Sequence, residues 1–289
     1  MLENHWSSII RRINTENKIC TEYDFTNVLH FIYASLQRTL KVAEQHSYMV
    51  NLMAKTMISG EVPSDILDTL EINMHIPNLM ALQIADETTP ILFDLEWIIL
   101  ENHTNALFIT SDNPVCLYNK LYVTRNYRRN YGLGTAGLII ILPISPKKCL
   151  CFYDPEVYSC AGSRIIRIKP RNVASEINRL LSANAYRNIF FNNLQEEKYI
   201  RNISKSYNAM TASEYVKSFN AVSINDVIYN DNEKHSLNTK QKGILFQIGE
   251  DCIHENFNLN FLEVRPLYKS IKLPEHMGGL TRAIAKNFQ

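Results

Sequence analysis

The chain has 289 residues, enough for one large domain or two small ones around a substantial core. Its formal charge of +1 argues against a strong global field for nucleic acid and leaves room only for a local basic patch. No apolar run approaches the roughly eighteen residues that span a bilayer. Met1–Trp6 lacks the basic-then-apolar order of a signal peptide, so no membrane partner is expected. The six cysteines are scattered without a C-x-x-C pair and read as reduced thiols of a cytoplasmic protein.

Helical periodicity governs the first ninety residues. Trp6, Ile9, Ile10 and Ile13 make one apolar stripe; Phe25, Val28, Leu29, Ile32, Leu36 and Leu40 make a longer one, and helical character continues to Ile58. Gly60 and Pro63 supply a stop, Ser64 is the expected N-cap of a helix over Asp65–Met74, and Pro77 opens one more short helix. Residues 1–89 therefore read as a helical subdomain.

From Pro90 the period changes. Asp94–Asn102 and Ala106–Thr110 are extended segments around His103-Thr104-Asn105, which predicts a hairpin with Asp112 just beyond a strand end. Leu138–Ile144 and Cys149–Tyr153 predict a second hairpin around Ser145-Pro146-Lys147-Lys148. Ser163–Ile168 is a further strand, Asn172 the expected cap of a helix carrying Val173, Ile177, Leu180 and Leu181, and Ala185–Phe191 a returning strand. Glu196–Phe219 is polar and reads as partly helical, Asn225–Lys242 as a loop or disordered stretch, and Gly243–Gly249 and Phe257–Val264 as closing strands. Residues 90–289 then form an α+β sheet subdomain, one compact unit with the first. The fold class is α+β, an N-terminal helical part packed on a mixed, mostly antiparallel sheet.

The candidate site is the turn Thr110-Ser111-Asp112-Asn113-Pro114-Val115. A carboxylate at a strand end can hold a divalent metal or act as a base, and an amide can orient a phosphate or carbonyl oxygen. Asp112 and Asn113 are thus the candidate catalytic residues, Asp112 also the metal ligand, with Thr110 and Ser111 adding hydroxyl contacts. Turn chemistry alone also explains all of these residues, as side chains that satisfy backbone donors ahead of a proline. Next along the chain, Arg125, Arg128 and Arg129 interleave with Tyr122, Tyr127 and Tyr131, a pattern that suits phosphate contact with base stacking and equally an exposed loop resting on the sheet.

Gly132-Leu133-Gly134-Thr135-Ala136-Gly137 spells G-x-G-x-x-G, but a dinucleotide site needs a strand before it and a helix after it. Here the order is reversed, and a flexible loop over the Asp112 turn is expected instead. Glu196-Glu197-Lys198 has the E-x-K spacing of metal-dependent nucleases and reads better as a solvated helical face. The eight histidines show no metal-ligand spacing, no G-x-S-x-G elbow exists, and Cys116 reads as a core thiol.

Several of these segments occur in one order: a Trp-bearing strand at Trp97-Ile98-Ile99, the Thr110–Val115 turn, Pro143-Ile144-Ser145-Pro146, and Ile177-Asn178-Arg179-Leu180. Together with Glu3-Asn4-His5-Trp6 they resemble an uncharacterised bacterial family, domain of unknown function 4238, over roughly residues 1–200. The resemblance implies helices followed by a mixed sheet and, by analogy, a place in bacterial stress or phage defence. Members begin with a His-Tyr-x-Pro-like stretch that nothing here matches, which implies a segment either lost or upstream of this chain.

Two functions stay open. One is an enzyme acting on a phosphodiester or nucleotide with a divalent metal as cofactor, nucleic acid or nucleotide being its partner. The alternative is a non-catalytic module that binds protein or nucleic acid.

Overall fold

The predicted apolar stripes become two helices that cover one face of a sheet. In the computed structural model, which describes residues 2–59, 61–72, 85–128, 131–160, 162–204, 216–221, 243–248, 252–271, 273 and 280–283, α1 spans Leu2–Glu16 and α2 spans Glu22–Gln37. The Thr21 side chain caps α2, accepting from the Asp24 N–H at 3.0 Å. Next come α3 (Leu40–Ile58), α4 (Ser64–Thr69) and the short α5 (Ala85–Thr88). Pro63 occupies the cap position of α4 with its φ at −54°, so Ser64 lies inside the first turn and is not the cap. Pro77 and Gly60 lie outside the described residues.

The strands are β1 (Glu96–Asn102), β2 (Thr110–Ser111), β3 (Cys116–Tyr118), β4 (Ile139–Ser145) and β5 (Lys148–Tyr153), with α6 (Lys120–Thr124) between β3 and β4. Then follow β6 (Tyr158–Cys160), β7 (Ile165–Ile168), α7 (Arg171–Asn184), β8 (Ile189–Phe190), α8 (Glu197–Ser204), β9 (Val216–Ala221), β10 (Gly243–Ile248), β11 (Leu262–Val264) and α9 (Pro266–Ser270). Five of them make the main sheet in the order β3-β4-β5-β1-β7. All its pairings are antiparallel except β1 with β7, so the sheet is mixed. The chain is α+β.

By its contacts the chain groups into two units, and their boundaries do not follow a split at residue 90. One unit comprises residues 1–40, 81–209 and 252–289; the other comprises 41–80 and 210–251. The second contains most of α3, α4 and the antiparallel pair β9–β10, and in it the Asn51 side chain accepts from the Ile72 N–H at 3.0 Å. Val216–Ala221, polar enough to be read as part of a helical stretch, is a strand because β10 pairs with it along its length. Asn225–Lys242 lies outside the described residues.

In the first unit the sheet is buried on both faces, which is why β4 and β5 read as near-continuous apolar runs. Ile99, Leu138, Ile140, Leu142, Leu150 and Phe152 pack with Ile9 and Ile13 of α1 and Val28, Leu29 and Ile32 of α2. Ile98, Leu100, Ile139, Ile141, Cys149 and Cys151 face the other way. They meet Val173, Ile177, Leu180 and Leu181 of α7, a set of buried tyrosines, and the C-terminal residues Phe257, Leu259 and Leu262. At the end of this segment Arg282 is buried, ion-paired with Asp94, and donates to the Ile91 and Leu133 carbonyls.

The hairpin expected between Trp97–Asn102 and Ala106–Thr110 does not form. Both edges of β1 are taken, one by β5 (Ile98 opposite Cys151) and one by β7 (Ile99 opposite Ile165). The Ala106–Thr110 chain satisfies its backbone elsewhere. Asn178 of α7 accepts from the Ile109 N–H at 3.2 Å and donates to the Leu107 carbonyl at 2.7 Å, so an amide replaces a neighbouring strand. The β4–β5 hairpin forms as predicted. α7 begins at Arg171 with Pro170, not Asn172, in the cap position; the predicted returning strand shrinks to Ile189–Phe190, and the last closing strand to Leu262–Val264.

Candidate functional site

Asp112 sits in the turn after β2, and main-chain donors surround its carboxylate. Oδ1 accepts from the Tyr186 N–H at 3.0 Å; Oδ2 accepts from the Arg187 and Asn188 N–H groups at 2.9 and 3.0 Å and from the Asn188 amide at 3.3 Å. A carboxylate offers about four lone-pair directions, two on each oxygen; three donors crowd Oδ2 and one reaches Oδ1. The donors belong to the stretch that follows the C-terminal end of α7, where the chain turns to pair β8 with β2, Thr110 opposite Phe190.

Asn113 and Ser111 are spent in the same way. The Ser111 hydroxyl donates to the Asn113 carbonyl at 2.9 Å and accepts from the Asn113 N–H at 3.1 Å. Asn113 donates its amide to the Asn184 carbonyl, and the Asn184 amide returns bonds to the Asn113 and Val115 carbonyls. Ser111 and Asn113 are buried. The turn thus staples β2 to the end of α7 through paired amides. Cys116, just after it, is fully buried in β3.

The arginine–tyrosine segment does something different. Arg125 ends α6 and donates to three carbonyls at the C-terminal end of α9: Tyr268 and Lys269 at 3.1 Å and Ile271 at 2.9 Å. Those are the acceptors that a helix end leaves without an intrahelical donor. Arg128 is exposed, and Arg129 lies outside the described residues. Arg125 is held against residues 268–271, whereas the Asp112 carboxylate is held by residues 186–188.

The tyrosines beside them point inward. The Tyr131 hydroxyl exchanges bonds with the Ile253 N–H and carbonyl, Tyr118 bridges the Glu255 carbonyl and the Phe257 N–H, and Tyr122 accepts from the Leu280 N–H at 2.9 Å. Lys120 donates to the Leu259 and Leu262 carbonyls. Burial pushes the Tyr118 and Tyr122 phenols up to about 12, raises Tyr131 further, and lowers Lys120.

The glycine run leads into β4, so no helix N-terminus follows it. Gly137 has φ +79°, and a Cβ there would meet the Asn119 Oδ1 at 3.0 Å and the Tyr158 hydroxyl at 3.1 Å. Its N–H donates to Asp154, whose carboxyl burial raises. The loop therefore packs on Asn119, Tyr158 and Asp154 and not over the Asp112 turn. Glu197 pairs with Arg201 one turn on along α8, a solvated helical face.

A groove lies where this chemistry stops. Cys116 pairs with Ile141 of β4, but further back the chain leaves the β4 edge, pairs with β8 instead, and returns only where the Phe108 N–H donates to the Pro146 carbonyl at 2.8 Å. The vacated space measures about 300 Å³. Phe108, Ile109 and Thr110 form one wall, Pro143, Ile144, Ser145 and Pro146 a second, and Phe190, Phe191 and Asn192 a third. Ile144 sits at a register irregularity of β4, and Phe190 is 54% exposed.

No lining residue is titratable. Among the described residues no three His, Cys, Asp or Glu side chains gather as a metal would need, and no helix is long and apolar enough to cross a membrane. The groove was not anticipated from sequence. Its signal there is the pair Pro143 and Pro146, since prolines in a strand mark an edge that lacks a partner.

Thr110 and Pro143–Pro146 belong to two of the segments that carry the family resemblance, and they meet at this groove. Neither a curated protein nor a solved structure matches the chain. The family model described as "Protein of unknown function (DUF4238)" matches residues 1–195, two thirds of the chain, and the chain belongs to that family.

Proposed function

We propose that this protein is a non-catalytic binding module that takes an apolar ligand in the groove bounded by β2, β8 and the β4–β5 hairpin. The observation that carries this reading is the state of Asp112, whose carboxylate accepts from three main-chain N–H groups and an amide. A metal ligand or general base works through lone pairs that are open to an ion or a proton. Here three donors crowd Oδ2 and a fourth binds Oδ1, so most of the carboxylate's accepting capacity serves the fold. Its role is positioning: it holds the stretch after α7 so that β8 presents Phe190 across from Thr110. Rigid support of that kind reduces the ordering cost of binding. The six cysteines, scattered without a C-x-x-C pair, support a reducing, cytoplasmic setting.

The test is an NMR titration of the full chain with indole and phenol as apolar fragments and, separately, with Mn²⁺. The binding reading expects fragment-induced shifts at Thr110, Ile144 and Phe190, and no paramagnetic broadening centred on residues 111–113. Broadening centred on Asp112, with no fragment shifts in the groove, would return the protein to the class of metal-dependent enzymes acting on phosphodiesters or nucleotides.

A further inference from the structure

Building on the groove as a ligand site, we propose that its occupant is an extended, proline-bearing segment of a partner protein in the polyproline II conformation, with an acidic residue beside Lys147.

The backbone of the vacated edge sets the first constraint. The Asp154 N–H donates to the Leu138 carbonyl, so the even-numbered residues at the start of β4 bond β5 while Ile139 and Ile141 turn towards β3. The next residue in that alternation is Pro143, which has no N–H. The Phe108 N–H that closes the far end is spent on the Pro146 carbonyl. A partner adding a β-strand would need alternating donors and acceptors here, and this edge lacks the donor. A polyproline II segment keeps its backbone solvated and makes no ladder, so it loses nothing on docking.

The walls set the second constraint. Aromatic and proline rings line the groove, with Thr110, Ser145 and Asn192 among them as small polar groups able to bond the carbonyls of an extended chain. That is the chemistry by which aromatic-lined grooves take proline-rich segments. Phe190, half exposed on a two-residue strand, is the anchor. At about 300 Å³ the groove suits one or two side-chain rings and is at the low end for a small-molecule site.

Charge sets the third. Lys147 follows Pro146 at the hairpin tip and is exposed, while no carboxylate lines the groove and the neighbouring Asp112 is enclosed by main-chain donors. A partner carboxylate is the complement of that ammonium.

Fluorescence anisotropy of the full chain tests this with three labelled probes. They are a ten-residue peptide alternating proline and leucine and ending in two aspartates, a glycine–serine peptide with the same ending, and a single-stranded oligothymidine. The proline peptide is expected to bind at least about tenfold tighter than the glycine–serine peptide. Phe190→Ser, at an exposed site whose fold a thermal melt checks, should weaken it by about tenfold or more. Lys147→Ala should weaken it several-fold and flatten its salt dependence, an effect absent when the two aspartates are replaced by asparagines. Equal binding of both peptides, or preference for the oligothymidine, overturns the proposal. If the fragments still shift Thr110 and Ile144, only the identity of the occupant has failed; if they do not, the binding-module reading has failed with it.

Discussion

Asp112 in its turn and Lys120 and Arg125 beside the buried tyrosines are residues suggestive of ligand chemistry, and each is used on the chain's own backbone, with opposite polarity. Asp112 gathers N–H groups that follow α7; Arg125 and Lys120 gather carbonyls of the C-terminal segment. The second arrangement closes over itself, because Ile253, Glu255, Phe257 and Leu280 lie on the tyrosines that hold them. The first leaves its neighbour open, since β2, tied through Asp112 to the stretch after α7, pairs with β8 and not with the β4 edge. On the proposed reading, the polar cluster at Asp112 serves function through the surface it shapes.

The largest expected effect separates the two regions by pH. The folded Tyr118 and Tyr122 phenols keep their protons to about 12, whereas an unfolded chain loses them near about 10. Their contribution to stability is thus complete below about pH 10 and is lost as pH rises through 12. Two such phenols amount to a fall of up to about 3 kcal/mol per pH unit in that window. Lys120, whose value is lowered, acts with the opposite sign but only below the ordinary lysine value of about 10.4, so it offsets no more than the start of the fall. Hydrogen exchange read site by site should show the amides of Ile253, Phe257 and Leu280 released before those of Tyr186–Asn188. Simultaneous release would merge the two regions into one cooperative structure.

A smaller effect belongs to the turn. Asp112→Ala removes the acceptor of three N–H groups at a partly exposed site and should cost about 2 kcal/mol in a denaturant melt; Asp112→Asn, which keeps one oxygen, should cost about 1 kcal/mol. Both variants should lose groove binding in proportion to that instability. An Asp112→Asn protein as stable as wild type would mean that the carboxylate does not hold the turn. The smallest effect is at Arg125→Ala, which leaves the α9 carbonyls to water and should cost about 0.5 kcal/mol, as an exposed cation at a helix C-terminus does.

What was legible in the sequence follows from locality. The stripes of α1 and α2, the apolar face of α7 and the β4–β5 hairpin depend on residues a few positions apart, and periodicity finds them. The turn chemistry of Ser111–Pro114 was also readable as a structural device. The partner of β1 was not, because its two neighbours come from residues 148–153 and 165–168 and leave no edge for the nearest extended segment. Nor was the role of Arg125. A guanidinium suits a phosphate and a row of carbonyls equally, and the deciding acceptors lie about 145 residues further on, a separation of the kind that loop closure permits at little added cost.

The return of the C-terminal segment to the sheet bears on how the protein is made. Residues 210–251, which belong to the other unit, fall between the two sets of partners, so Tyr118 and Tyr122 emerge from the ribosome well ahead of Phe257 and Leu280. At about 5–20 residues per second, the roughly 160 residues between Tyr122 and Leu280 take about 8–30 s to synthesise. Throughout that interval one face of the nascent sheet waits with its phenols and the Lys120 ammonium still hydrated. Ile253, Phe257, Leu259, Leu262 and Leu280 complete it once they emerge, which makes the half-built sheet a natural client for chaperones.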